Sequence, residues 1–149
     1  MPDEPDLLSS LRTYLADEGL VRVPTDSGSE PPMWLEPRDG VPAPGEGNKV
    51  SERGDTLVIG AFDVGGIPPR PYESFKRTDF IDIWMRSTTA KVARDFEVDL
   101  RAALADKRNW DMAGLTVIES LIFRDKQRLG SSPQAFDFVT EYSFERYSP

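Results

Sequence analysis

Residues Thr88 to Ala105 carry the period of a helix, the residues on either side carry the period of a strand, and few folds accommodate that order. Ala93, Phe96, Leu100, Ala103 and Leu104 recur at intervals of three and four, which stacks them on one side of a helix. Lys91, Arg94, Asp95, Glu97, Asp99 and Arg101 are left to the solvated side. Ser87, Thr88 and Thr89 offer hydroxyls to the first-turn amides, and Asn109 with Gly114 interrupts the pattern beyond the helix. Such a helix needs a sheet to lie on.

The flanking runs supply one. In Thr78–Arg86, Ile81, Ile83 and Met85 point one way, while Phe80, Asp82, Trp84 and Arg86 point the other. In Leu115–Asp125 the expected face is Leu115, Val117, Glu119, Leu121 and Phe123, opposite Thr116, Ile118, Ser120, Ile122 and Arg124. Neither strand is cleanly half polar. Both faces are therefore expected to be covered in part, one by the helix and the other by another segment or another subunit. This is more apolar sheet than a solitary domain is expected to hide.

The remaining elements follow from the same reading. A helix is expected over Asp3–Glu18, with Leu7, Leu8, Leu11 and Leu15 as its stripe, Asp6 as its cap and Gly19 as its stop. Leu20–Val23 and Met33–Glu36 read as short strands hemmed in by prolines, as sheet edges are. Nine of the thirteen prolines and eight of the eleven glycines fall between Pro24 and Pro71, so little of that stretch can join a core. Within it, Glu36–Asp55 reads as a long loop or arm that orders against a neighbour, and Thr56–Asp63 as a buried strand. Val64–Pro71 reads as a Gly-Gly turn followed by an extended path. The last third is a hairpin, with Gly130–Pro133 as its turn and Ala135–Tyr147 returning. The whole is expected to be one domain over residues 1–149. Its class is α+β: a mostly antiparallel, mixed sheet with an N-terminal helix and a central helix on one face.

Composition narrows the chemistry. The chain has neither cysteine nor histidine, which removes thiolate nucleophiles, disulfides, the commonest metal ligand and the commonest general base. With 26 acidic against 18 basic residues the net charge is −8, so a phosphate backbone is repelled over most of the surface. No stretch is apolar enough to span a membrane, and Met1-Pro2-Asp3-Glu4 is unlike a signal peptide. Asp79, Asp82, Glu97 and Glu119 are the carboxylates to consider for a metal-dependent nuclease. The glycines of Gly60–Gly66 precede Ile67-Pro68-Pro69 rather than a helix start, which suits a turn and not a phosphate cradle. The expectation is a protein that is not an enzyme and holds no cofactor or metal.

The remaining signal is a basic and aromatic cluster: Arg70, Tyr72, Phe75, Lys76, Arg77, Phe80, Trp84 and Arg86. Arginine beside aromatics is the composition of protein–protein contacts, and the net charge favours that reading over a nucleic-acid platform. Arg70, Tyr72, Phe75, Arg77, Trp84 and Arg86 are the candidate interface residues. Trp34 and Trp110 read as core.

The run Tyr72–Arg86 (YESFKRTDFIDIWMR) resembles the tail-terminator proteins of long-tailed, siphovirus-type actinobacterial phages, as do Arg108–Leu115 (RNWDMAGL) and Glu141–Tyr147 (EYSFERY). The resemblance covers about the last half of the chain. It implies a small subunit that forms a hexameric ring on the last ring of the tail tube, stops polymerisation and meets the head-completion proteins on its opposite side. Its implied partners are itself, the major tail tube protein and a head-completion or connector protein, with DNA only as cargo in the channel and no membrane. Its implied place is the tail or neck of the virion, assembled in the host cytoplasm. No catalytic residue carries over. A head-completion or connector protein on the portal side is the alternative, and a metal-dependent nuclease the more distant one.

Overall fold

The computed structural model describes residues 6–23, 28–35, 57–67, 76–87, 89–132 and 135–147. The expected arm at 36–55 and the candidates Arg70, Tyr72 and Phe75 lie outside these residues. In order, the elements are α1 (Leu7–Asp17), β1 (Met33–Leu35), β2 (Leu57–Ile67), β3 (Lys76–Ser87), α2 (Ala90–Leu104), β4 (Lys107–Met112), β5 (Leu115–Ser132) and β6 (Ala135–Tyr147). The class is α+β, with two helices and a mixed six-stranded sheet ordered β1-β2-β3-β6-β5-β4 among the described residues. Only β1 against β2 is parallel. After β3 the chain crosses as α2 to the far edge. It then returns through β4 and β5, so that β6 comes to lie antiparallel to β3 in the middle of the sheet.

Both helices are set by their caps. Asp6 accepts from the Ser9 amide and hydroxyl, at 3.4 and 3.0 Å, and so starts α1. Gly19, at φ +76, ends it while its own amide and that of Leu20 bond back to Ala16 and Leu15. Thr89 caps α2 by accepting from the Val92 amide at 3.3 Å. Leu11 and Leu15 of α1 and Ala93, Leu100 and Leu104 of α2 have no exposed surface. They join Ile81, Ile83, Met85, Tyr142 and Phe144 in one core, so both helices cover the same face of the sheet.

Several elements differ from the sequence reading. Leu20–Val23 forms no strand: Arg22 makes a single parallel bridge to Pro32, donating to Pro31 O and accepting from the Met33 amide, and Pro31 has no N–H with which to extend the ladder back to Leu20. The glycines after Asp63 make a bulge rather than a turn. Register passes from Asp63 opposite Ile81 to Gly65 opposite Phe80, leaving Val64 as the extra residue while Gly65 takes φ +117. β2 therefore runs on to Ile67. β4 lies where an interruption was expected; its hairpin to β5 turns on Ala113 and Gly114, at φ +49 and +92. Positive φ at both positions matches the right-handed twist of the strands it joins. In β5, Val117 and Glu119 face consecutive residues of β6, so Ile118 is bulged. That slip of one residue exchanges the faces beyond it. Leu115, Val117 and Ser120 are buried, whereas Glu119 and Leu121 are half-exposed and not on the core face as expected. Glu97, expected on the solvated side of α2, is buried and bonded to Arg101 at 2.8 Å.

Both sheet edges are guarded. β1 has three residues, and Arg12 of α1 donates to its Met33 carbonyl at 3.3 Å. At the other edge, Asn109 takes φ +49 within the six residues of β4. Short, irregular edges discourage a further strand from pairing there.

Candidate interaction surface

Strand parity decides where the candidate interface residues go. Trp84 and Arg86 lie on the face of β3 opposite Ile83 and Met85, away from the helices. Register sets Trp34 of β1 and Trp84 of β3 on either side of Gly60 in β2, so no side chain stands between the two indoles on that face. Val58 and Trp84 are buried there, with half-buried Trp34 and Phe62 packed against them. The rings of Phe62 and Trp84 meet edge to face, with centroids 6.5 Å apart. The Arg86 guanidinium carbon sits 4.9 Å from the Trp84 ring centroid. Trp84 and Arg86 are each only 1% exposed, so what this cluster offers at the surface is Trp34 and Phe62.

Arg77 lies elsewhere. It shares the helix-side face with Asp79 and Ile81, seven residues from Trp84, a distance of about 23 Å along a strand. It pairs directly opposite Arg146 of β6. Like charges in that position repel. Asp79 offsets this by accepting from Arg77 Nη2 at 2.8 Å and Arg146 Nε at 2.9 Å, while itself 1% exposed. The described candidates therefore form no single patch: Trp84 and Arg86 are together, and Arg77 is part of an ion-pair cluster at the end of the opposite face.

The same parity disperses the carboxylates of the nuclease reading. Asp79 and Asp82 project from opposite faces of β3; Glu97 is bound to Arg101 and Glu119 to Arg108, at 2.8 and 3.1 Å. They do not converge on one point. Among the described residues, no three His, Cys, Asp or Glu side chains are grouped to hold a metal ion, and no helix is long and apolar enough to cross a membrane.

A third cluster escaped the sequence reading because its members are 93 residues apart in the chain. Lys107 Nζ donates to Tyr14 Oη at 2.8 Å and lies 4.6 Å from the Trp110 ring centroid and 5.1 Å from that of Tyr14. The two rings meet edge to face with centroids 4.8 Å apart. Tyr14 Oη in turn donates to Ala103 O at 2.9 Å, so α1, α2 and β4 are tied together at one point. Trp110, read from sequence as core, is half-buried and borders a groove.

The apolar surplus expected from the two-sided strands is small at the surface. Among the described residues the large apolar side chains that are exposed are Val64 on the bulge and Val98 on α2. No protein-family model matches the chain, and no curated protein sequence matches it.

Proposed function

We propose that the chain is a structural virion subunit, a phage tail terminator that forms a ring, six copies around, on the end of the tail tube. The ring stops tube polymerisation and joins the tail to the head-completion or connector proteins. In this reading the protein works without catalysis, cofactor or metal, and its place is the tail or neck of the virion. The support is the resemblance over Tyr72–Arg86, Arg108–Leu115 and Glu141–Tyr147. The described parts of those runs fall in β3, β4 with its turn, and β6, so two of the three are the paired strands at the middle of the sheet.

The structural observation that carries the reading furthest is the face of the sheet opposite the two described helices. Trp34 and Phe62 remain half-buried there, over a floor of buried Val58, Trp84 and Arg86. Aromatics over a well-packed floor that includes arginine are what protein contacts favour. The guarded strand edges point the same way, since they leave side chains rather than strand addition to join subunits. A net charge of −8 suits a channel wall that DNA must pass without being held.

Negative-stain images of the purified protein, alone and with tail tube protein, test this. Sixfold rings that cap tubes are expected. Protein that stays monomeric under both conditions overturns the proposal, and binding to portal protein in place of tube protein transfers it to the connector reading.

A further inference from the structure

Register between β3 and β6 sets like charges opposite each other on both faces of this central strand pair. On the helix side Arg77 faces Arg146, and on the other side Asp82 faces Glu141. Like charges so placed destabilise a sheet unless a counter-charge joins them. Asp79 supplies one to the arginines, but it takes a single N–H from each, so two positive charges share one negative. Arg77 Nε is buried with no acceptor among the described residues, while the side chain as a whole keeps 37% of its surface exposed. The pair therefore has positive charge and N–H donors to spare, open to solvent on the Arg77 side.

The opposite face has the converse surplus. Glu141 is half-buried and has no hydrogen-bond or ion-pair partner among the described residues. Taking a carboxylate part of the way out of water without a partner is unfavourable. Register places Phe62, Asp82 and Glu141 in one row across β2, β3 and β6, so this carboxylate adjoins the aromatic surface already proposed as a contact.

We infer that the two surpluses are the halves of one contact between copies of this chain: the Arg77–Arg146 pair of one subunit receives Glu141 of the next. The inference rests on the ring reading and names the polar part of the ring contact. Asp79 shows that one carboxylate reaches both guanidiniums, and a second, arriving from solvent, takes N–H groups that Asp79 leaves. The halves lie on opposite faces of one strand pair, so joining them is a head-to-tail contact, the kind that repeats around a ring. A two-fold dimer would need both halves on one self-complementary patch. The net charge of −8 opposes association at long range, but salt screens it beyond about 8 Å and leaves the local pair to decide. A DNA backbone fits less well, because its run of phosphates would extend past the pair onto an acidic surface.

The test is sedimentation velocity of the intact protein, alone and with tail tube protein, in about 50 mM and about 1 M NaCl. Arg77→Gln and Glu141→Gln are each expected to weaken assembly about tenfold in low salt. The double variant is expected to lose no more than about tenfold, since both changes remove the same contact, where independent losses would multiply to about a hundredfold. Glu141→Gln also relieves the repulsion from Asp82, so its melting temperature should not fall and its effect on assembly is not one of folding. Lys91→Gln removes an exposed charge on α2 and is expected to change assembly less than about twofold. In high salt the gap between wild type and Arg77→Gln should narrow. Losses that multiply in the double variant, or rings that form unchanged in Arg77→Gln, overturn the inference while the ring itself stands. Wild type that stays monomeric under every condition overturns both. Duplex DNA binding that Arg77→Gln abolishes, with assembly unchanged, gives the arginines to a phosphate backbone and overturns it as well.

Discussion

Arg146 Nε of β6 reaches Asp79 Oδ2 of β3 at 2.9 Å, and this bond lets two arginines stand directly opposite each other at the end of a sheet. Asp79 is 1% exposed, so its charge is compensated by these partners rather than by water. Removing one member of a buried, bonded ion pair leaves the other uncompensated. Arg77 and Arg146 keep side-chain exposures of 37% and 13%, so Asp79→Asn is expected to lower stability by about 1.5–3 kcal/mol. A urea-unfolding midpoint equal to that of the wild type would show that Arg77 and Arg146 do not need the charge.

Trp84 was a candidate contact residue by composition, but its burial makes it first a packing residue. Trp84→Ala should cost about 3–5 kcal/mol through the cavity left beneath Trp34 and Phe62. Trp84→Phe should cost much less, under about 1.5 kcal/mol, because the buried indole N–H finds no acceptor among the described residues and its loss leaves nothing unpaired. Denaturant unfolding of both variants separates packing from hydrogen bonding; equal losses would contradict this account.

The β4–β5 turn holds an alanine at φ +49, a conformation that costs an L-residue with a Cβ about 1–2 kcal/mol. Asparagine tolerates it better, and Asn-Gly is a favoured pair for this turn. Ala113→Asn is expected to stabilise the protein by about 0.5–1 kcal/mol, read as a rise in melting temperature. A fall would mean that the half-buried alanine contributes more by packing than the backbone loses by strain.

The Tyr14 hydroxyl serves α2 and β4 at once, donating to Ala103 O and accepting from Lys107. Tyr14→Phe keeps the ring beside Trp110 and removes both bonds. A loss of about 1–3 kcal/mol is expected, with faster amide hydrogen exchange in the last turn of α2 as the local sign. Unchanged exchange there would place the tyrosine's contribution in its ring alone.

Where a stretch has one strong periodicity, local reading came close to the structure. The stripe of Ala93, Phe96, Leu100 and Leu104, the cap at Asp6, and the inward set Ile81, Ile83 and Met85 each depend on residues within a turn or two of one another. Two of the readings that failed concern single residues whose effect is set by a paired strand. Gly65 absorbs an extra residue instead of reversing the chain, and Ile118 bulges, sending Glu119 to the face opposite Val117. The side-chain period of a strand is two, so one inserted residue exchanges its faces, and nothing local to that strand announces the insertion.

The sites divide along the same line. Composition established the net charge and the absence of cysteine and histidine. The basic and aromatic cluster was also visible in the chain, but its described members end on two faces of β3, because neighbouring residues of a strand point apart. Tyr14, Lys107 and Trp110 carry no common signal in sequence. They meet because α2 crosses the sheet and returns the chain to its far edge beside α1, a juxtaposition created by the crossover and by the burial of both helices on one face.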